Sequence, residues 1–203
     1  FTMDEVEVIL AALTAGPPRN YFEVAFFTGL RPSELIALRW SKVDRKTGYM
    51  KVDAAVTRFQ EKGTKTWSAR NVELSARALQ ALERQRAAMG KRAVPAGHVF
   101  TSDEGAPFTT TDEPLRSWWK PAVKASKVRT RDARQTRHTF ATMCLMAGLT
   151  PGWVAMQMGH SPEMFFRVYS RWIQGADQGA ERRKLDAFLG DKTGTKNGTG
   201  TTN

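Results

Sequence analysis

The sequence predicts a mainly α-helical fold with a small antiparallel β-sheet, which is an α+β class. Capped segments with apolar residues at helical spacing recur along most of the first 175 residues. Only residues 49–57 and 67–74 turn to β-branched and aromatic side chains, and the Lys62–Lys65 connection between them is typical of a hairpin or meander. At 203 residues the chain can form one large domain or two small ones.

The first 40 residues predict three helices. Thr2 and Glu5 form a capping-box pattern at the start of the first helix. The second helix, about residues 20–28, is apolar on all sides and is therefore expected to be buried. Pro32 suits the first position of a third helix and leaves Arg31 at its entrance. An arginine there either pairs with an acid one turn on or faces an anion that the helix end attracts.

The middle of the chain continues with helices separated by loops. Ser75 is predicted to cap a helix that ends at Gly90. Residues 91–111 are rich in loop-forming residues, and we expect a loop with a short strand there. Residues 115–126 predict a further helix, which Pro121 either kinks or begins.

The last 70 residues contain the clearest helical pattern, from Arg134 to Ala147. Two short helices are predicted after it, at residues 150–159 and 161–169, with His160 in the tight turn between them. Residues 180–189 predict a short amphipathic helix. Residues 190–203 contain no apolar side chain, and we expect a disordered tail.

Charge is the first indication of function. The chain has 31 lysines and arginines against 20 acids, a net charge of +11. Eight basic residues and one acid lie between Arg116 and Arg137. This balance favours nucleic acid as the partner, and a solvated basic helix face is the alternative.

Composition also excludes several classes of protein. No apolar run is long enough to cross a bilayer, and no signal or transit peptide is apparent at the start of the chain. The single cysteine, Cys144, excludes an internal disulfide and a multi-cysteine zinc site, which fits a reducing cytoplasm. Cys144 lies on an apolar helical face, so we expect it to fill the core.

Two arginines, a histidine and a tyrosine recur within 36 residues, at Arg134, Arg137, His160 and Tyr169. Arginines present fixed forks of donors to phosphate oxygens, and an imidazole can donate to or accept from the same phosphate. A tyrosine hydroxyl can attack phosphorus and hold it covalently. This set predicts phosphodiester chemistry without a metal, although a capping or core role is the default for an isolated histidine.

These motifs together resemble the catalytic domain of the tyrosine recombinases, the phage-integrase family. The resemblance covers about residues 1–175, and its motifs follow one another in the family's order, at Thr28–Glu34, Lys65, Thr136–Ala141, Gly159–His160 and Tyr169. It implies a tyrosine-recombinase catalytic-domain fold for residues 1–179, of the kind found in phage or prophage integrases. It also implies that a core-binding domain precedes this one, so the chain is interpreted as a fragment.

The resemblance implies a role for each matching residue. Arg31 and Arg137 match the two arginines that bind the scissile phosphate, and Glu34 matches the acid that orients Arg31. Lys65 matches the hairpin lysine that protonates the departing 5′ oxygen. His160 matches the histidine that hydrogen-bonds to the phosphate, and Tyr169 matches the tyrosine nucleophile.

One position departs from the family pattern. The family commonly has a histidine three residues before the second arginine, and this chain has Arg134. An arginine does not readily accept a proton, so the general base is left open between His138, water and the phosphate itself.

The resemblance further implies strand cleavage and rejoining through a 3′-phosphotyrosyl bond, with no metal, ATP or other cofactor. The implied partners are double-stranded DNA attachment sites, three further copies in a homo-tetramer on DNA, and accessory DNA-bending proteins, in the cytoplasm and nucleoid of a bacterial host. No membrane partner is expected. Two alternatives stay open, which are a type IB topoisomerase and a DNA-binding module without catalysis.

Overall fold

Helices form most of the protein, and a small amount of antiparallel sheet accompanies them. The computed structural model describes residues 1–57, 60–63, 69–177 and 179–193. Its helices are α1 (Met3–Ala12), α2 (Pro17–Thr28), α3 (Pro32–Ala37), α4 (Ala76–Met89), α5 (Asp112–Pro114), α6 (Lys120–Ser126), α7 (Gln135–Met146), α8 (Pro151–Met158), α9 (Pro162–Asp177) and α10 (Ala180–Thr193). Its strands are β1 (Val43–Asp44), β2 (Tyr49–Val52), β3 (Ala54–Thr57), β4 (Gln60–Gly63) and β5 (Arg70–Glu73). The predicted α+β class is confirmed.

Helix α1 begins at its predicted cap, whereas α2 begins earlier than predicted. The Thr2 hydroxyl accepts from the Glu5 backbone N–H at 3.2 Å, and the Glu5 carboxylate accepts from the Thr2 N–H at 2.9 Å. Helix α2 begins at Pro17, three residues before the predicted start at Asn20. Proline suits the first turn of a helix, because its fixed φ is helical and its missing N–H would have no partner there.

The strands form two separate antiparallel pairings. Strand β2 lies between β1 and β5, with Met50 opposite Val72, and β3 pairs with β4. Lys62 and Gly63 belong to β4 rather than to the connection that the sequence predicted. Lys65 lies outside the described residues.

The helix predicted over residues 115–126 contains a wide turn. Leu115–Trp119 is a π-helical turn, and α6 begins directly after it with Pro121 in its first turn. Proline cannot donate the usual helical hydrogen bond and crowds the preceding turn, so the chain widens before it. Of the two predicted effects of Pro121, a kink or a helix start, the structure confirms the second, because Pro121 lies in the first turn of α6.

Two hydrophobic clusters make up the core. The larger cluster contains residues of the first four helices, of the strands and of α6. Phe22, Phe26 and Trp119 are among its buried side chains. The smaller joins α7, α8 and α9, and it contains Cys144, as predicted for a core cysteine, and Tyr169. Helix α7 packs against both α2 and α9, so it connects the two clusters.

The last two helices are longer than predicted. Helix α9 continues past Tyr169 to Asp177, and α10 continues past Leu189 to Thr193. Residues 190–193 belong to α10, and the rest of the predicted disordered tail, residues 194–203, lies outside the described residues. In the part of the chain that the structure describes, no helix is long and apolar enough to cross a membrane.

Candidate active site

Tyr169 lies on α9 with its side chain almost fully buried, at 3% exposure. Its ring packs against two imidazoles, with centroids 5.2 Å from that of His138 and 6.4 Å from that of His160. Burial raises the pKa of the Tyr169 hydroxyl, and the positive charge of Arg137 opposes this without cancelling it. The phenol is therefore protonated at neutral pH and must lose its proton to act as a nucleophile.

Arg137 lies in the first turn of α7, and its guanidinium joins two other helix ends. Nη1 donates to the Gly29 carbonyl at 2.5 Å, and Nη2 donates to the Met158 carbonyl at 2.6 Å. Gly29 has a φ of 64°, and a Cβ added there would lie 2.5 Å from Phe140 Cδ1. Only glycine therefore allows α2 to end this close to α7, where its carbonyl holds the arginine.

Arg31 precedes α3 and pairs with Glu34. Arg31 Nη1 donates to Glu34 Oε1 at 3.0 Å, and the Arg31 backbone N–H donates to Oε2 at 2.9 Å. The sequence left open whether Arg31 pairs with an acid or faces an anion, and the structure shows the pairing with Glu34. Glu34 is only 4% exposed, and its carboxylate also accepts from Arg70 Nη1 and Nη2 at 3.0 and 2.8 Å.

Glu34 stays ionised in this environment. Burial raises the pKa of its carboxyl, but the hydrogen bonds and charge of Arg70, together with those of Arg31, outweigh burial and lower the pKa below its usual value. A buried carboxylate with several charge-assisted hydrogen bonds is a rigid support for the arginines around it.

His160 occupies the turn between α8 and α9, as predicted. Gly159 before it ends α8 in the left-handed conformation, at a φ of 64°. His160 Nδ1 is buried and has no hydrogen-bond partner among the described residues. Burial lowers the pKa of His160 to about 4, and nearby positive charges add to this effect, those of Arg137, Arg31 and Arg70. The imidazole is therefore neutral at pH 7.

The structure thus brings six of the predicted site residues together, namely Arg31, Glu34, Arg137, His138, His160 and Tyr169. Burial, followed by the positive charge of Arg31, lowers the pKa of Arg137 to about 9. Partly buried guanidinium groups that disfavour one another's charge are suited to bind an anion.

Arg134 and His138 differ in how far their side chains are exposed. Arg134 is the residue before α7, and its side chain is 84% exposed, with Nε 3.6 Å from Asp132 Oδ1. Among the described residues no hydrogen bond or ion pair joins the Arg134 side chain to Arg137 or Tyr169. His138 is half-buried, its ring also meets that of Trp172 edge-on at 5.0 Å, and burial lowers its pKa.

Sequence reasoning did not find Arg70, which is 12% exposed and bound to Glu34. The available signal was weak, a basic residue beside the apolar Val72 in a short strand. Within the described ranges, no group of three or more His, Cys, Asp or Glu side chains is placed to hold a metal ion.

Comparison with known proteins shows the family. The model of the phage integrase family matches residues 1–172, so this chain belongs to the phage integrase family, and the resemblance to tyrosine recombinases is confirmed. Prophage integrase IntR of Escherichia coli (strain K12) is 32% identical over 181 residues, which cover 78% of this chain and 44% of IntR. The chain spans less than half the length of that relative.

Two solved structures share the fold. The Tn1549 transposon integrase in complex with circular intermediate DNA matches with a TM-score of 0.71 and 21% identity, covering 93% of this chain and 66% of that one. A lambda integrase dimer bound to a COC′ core site matches with a TM-score of 0.63 and 21% identity, covering 88% and 60%. The predicted tyrosine-recombinase catalytic-domain fold is confirmed by these likenesses.

Proposed function

We propose that this chain is the catalytic part of a site-specific DNA recombinase, with residues 1–179 as the catalytic domain. On this proposal it cleaves and rejoins DNA through a 3′-phosphotyrosyl intermediate, without metal or ATP. One observation carries the proposal: a buried tyrosine, Tyr169, packs on His160 beside Arg137, and the charge of Arg31 lies close to that arginine. Family membership supports the same activity.

The two arginines would bind the non-bridging oxygens of the scissile phosphate. Arg137 is held by the carbonyls of Gly29 and Met158, and Arg31 is held by Glu34, so neither guanidinium must reorganise when charge develops. Preorganised donors of this kind stabilise a transition state by about 3 to 4 kcal/mol each. His160, with a buried nitrogen that has no partner in the described residues, is suited to add a hydrogen bond to the same phosphate.

In the cleavage step the Tyr169 oxygen would attack phosphorus and form the phosphotyrosyl bond, while the bond from phosphorus to the 5′ oxygen breaks. We assign the proton for that leaving oxygen to Lys65. The tyrosine proton goes to water, to the phosphate or to His138, with Arg134 adding positive charge. Rejoining reverses these steps with a 5′ hydroxyl from another strand, and it needs no ATP because the covalent bond conserves the energy of the linkage.

Double-stranded DNA is the proposed partner, at the attachment sites of a mobile element. The net charge of +11 favours a polyanion, and both the Tn1549 and the lambda integrase structures contain DNA. We further propose a homo-tetramer on two sites, aided by accessory DNA-bending proteins in the bacterial cytoplasm and nucleoid. The lambda integrase dimer on its core site supports assembly of more than one copy.

A nicked suicide substrate tests the proposal, because the short fragment released on cleavage diffuses away and leaves the protein on the DNA. We expect a covalent adduct in excess EDTA, mapped by mass spectrometry to Tyr169. Tyr169→Phe should bind DNA and form no adduct. Tyr49→Phe is the matched control, because Tyr49 is 42% exposed at the start of β2, and it should form adduct at the parent rate.

Other outcomes would favour the alternatives. Adduct formation that depends on Mg²⁺ would indicate metal-assisted chemistry. DNA binding with no adduct would leave a DNA-binding module. Relaxation of supercoiled DNA with no recombinant product from two attachment sites would favour a type IB topoisomerase.

A further inference from the structure

Arg70 on β5 joins two parts of the site that are far apart in the chain. Its Nη1 and Nη2 donate to the two oxygens of Glu34 at 3.0 and 2.8 Å. Its Nε donates to the Gln157 carbonyl at 2.9 Å, near the end of α8. One guanidinium therefore bonds to α3 across 36 positions of sequence and to α8 across 87 positions.

Each side of this link holds a residue proposed to bind the phosphate, Arg31 on the α3 side and Arg137 on the α8 side. On the α3 side, Glu34 Oε1 accepts from Arg70 Nη1 and from Arg31 Nη1, both at 3.0 Å, so the two arginines share one oxygen. On the α8 side, the carbonyl of the next residue, Met158, accepts from Arg137, and the turn that holds His160 follows. Arg70 therefore links the side of the site that holds Arg31 to the side that holds Arg137 and His160.

The surroundings are shaped to hold this guanidinium. A Cβ added at Gly159 would lie 2.9 Å from Arg70 Nη1 and 3.1 Å from its Cζ, so the turn passes directly over the arginine. Strand β5 makes a second bond to α8, because the Glu73 backbone N–H donates to the Gln157 side chain at 2.8 Å. The Arg70 side chain is 12% exposed, and three of its donor atoms are bound to protein.

We propose that Arg70 is a positioning residue, which sets the spacing of the phosphate-binding groups through Glu34 and the end of α8. This proposal rests on the proposed recombinase function. It assigns Arg70 no contact with the substrate, since its donors face Glu34 and Gln157. The planar fork matters as well as the charge, because a lysine can keep an ion pair with Glu34 but cannot also donate to the Gln157 carbonyl in the same geometry.

The test compares Arg70→Lys with Arg77→Lys in the whole chain, using single-turnover adduct formation on a nicked substrate at saturating DNA. Arg77 is a matched control, because it also pairs with a buried acid, Glu23, at 2.9 Å but lies on α4 in a network with Glu7. We expect Arg70→Lys to cleave roughly 10- to 100-fold more slowly, the scale of a misplacement of about 1 Å. Its Kd for DNA should change by less than about threefold, since no phosphate contact is removed.

Arg77→Lys should keep the parent cleavage rate within about threefold, even where its Tm falls, because its partners Glu7 and Glu23 are not proposed site residues. A cleavage rate of Arg70→Lys at the parent level, or a loss no larger than that of Arg77→Lys, would overturn the proposal. Loss of DNA affinity at an unchanged saturated rate would also overturn it, because it would make Arg70 a binding residue. No adduct from the parent protein would instead reject the proposed function.

A second variant keeps the test valid if Arg70→Lys does not fold. Glu34→Gln keeps the size of the side chain but removes the charge that both arginines share, so we expect it to slow cleavage in the same way. Where Arg70→Lys folds, the two substitutions should act on one arrangement, and their combined effect should be smaller than the product of the single effects. An unchanged rate in Glu34→Gln, or multiplicative effects in the double variant, would contradict the proposed coupling.

Discussion

The Tyr169 ring stacks on the His138 imidazole, with 5.2 Å between centroids and 28° between ring planes. His138 follows Arg137 on α7, so the helix that supplies an arginine proposed to bind the phosphate also holds the ring of the proposed nucleophile. Trp172 meets both rings, at 5.0 Å from His138 and 6.2 Å from Tyr169. The tyrosine is therefore restrained from α7 as well as from its own helix.

This stack predicts the effect of changing His138. An aromatic pair contributes about 0.5 to 1.5 kcal/mol, so His138→Ala should slow adduct formation by roughly two- to tenfold with little change in DNA binding. His138→Phe keeps a stacking ring without a basic nitrogen, and it should recover most of the rate. A His138→Phe protein as slow as His138→Ala in the same single-turnover assay would assign the basic nitrogen a part in the reaction.

The lowered pKa of His160 predicts a pH dependence of stability. The folded protein has this pKa at about 4 and the unfolded chain near the ordinary 6.5, so between these values the unfolded chain binds more protons. Stability should therefore be highest above pH 6.5 and fall as the pH drops towards 4. The expected loss is about 1 to 2 kcal/mol, because partial exposure screens the full effect.

His160→Gln isolates this contribution. Urea unfolding of parent and variant from pH 4 to 7.5, without DNA, should show the parent losing more stability on the acid side. If the free energy of unfolding changes with pH in the same way in both proteins, His160 does not cause the pH dependence of stability. Buffers of constant ionic strength keep the other charges comparable.

Local signals in the sequence were sufficient for much of this arrangement. Pro32 predicted the start of α3, which places Arg31 at the helix entrance with Glu34 one turn on. The proline at 151 and the glycine at 159 predicted α8 and the turn at His160. Such features depend on backbone preferences over a few residues, and these can be recognised in sequence.

Local patterns in the sequence could not predict which distant residues pair with one another. The Arg70–Glu34 ion pair depends on two long-range contacts, the pairing of β5 with β2 and the packing of α3 on β3. Nothing in the sequence around either residue indicates the other. Helix α9 was predicted to end at Tyr169, yet it continues to Asp177, where Ile173 still packs on the smaller core cluster. Tertiary packing decides both cases.

Lys65 lies outside the described residues, and its role stays a prediction from the family resemblance. Lys65→Ala should slow cleavage of a normal phosphodiester strongly, because the 5′ oxygen needs a proton to leave. A substrate with a 5′-bridging sulfur should be cleaved at nearly the parent rate, since a thiolate leaves without one. Equal losses on both substrates would remove Lys65 from the general-acid role, and Lys62→Ala is the matched control.

Helix α10 predicts a role in assembly. Its large apolar side chains are half exposed or more, Leu185 at 55%, Phe188 at 59% and Leu189 at 51%. Truncation after Gly179 should therefore leave cleavage of a single site unchanged and reduce pairing of two sites, because a partner copy is expected to cover this face. Gel-shift and adduct assays measure the two steps, and unchanged pairing by the truncated protein would contradict the prediction.

Arg134 is the position where the chain leaves the family pattern, and its side chain is 84% exposed. An exposed arginine one turn before Arg137 can still swing onto a phosphate, where it would replace the hydrogen bond of a histidine but not its basicity. We therefore expect Arg134→Ala to lose about 3 to 4 kcal/mol of transition-state stabilisation, the scale of one lost donor. Arg134→His should keep much of the activity and gain an acidic limb at about pH 6 to 7 in its pH–rate profile, because imidazole titrates there.

Asp132→Asn is the control, since it removes the nearby acid and keeps the arginine. If Arg134→Ala cleaves as fast as the parent, or if the profile of Arg134→His overlays that of the parent, this position takes no part in the chemistry.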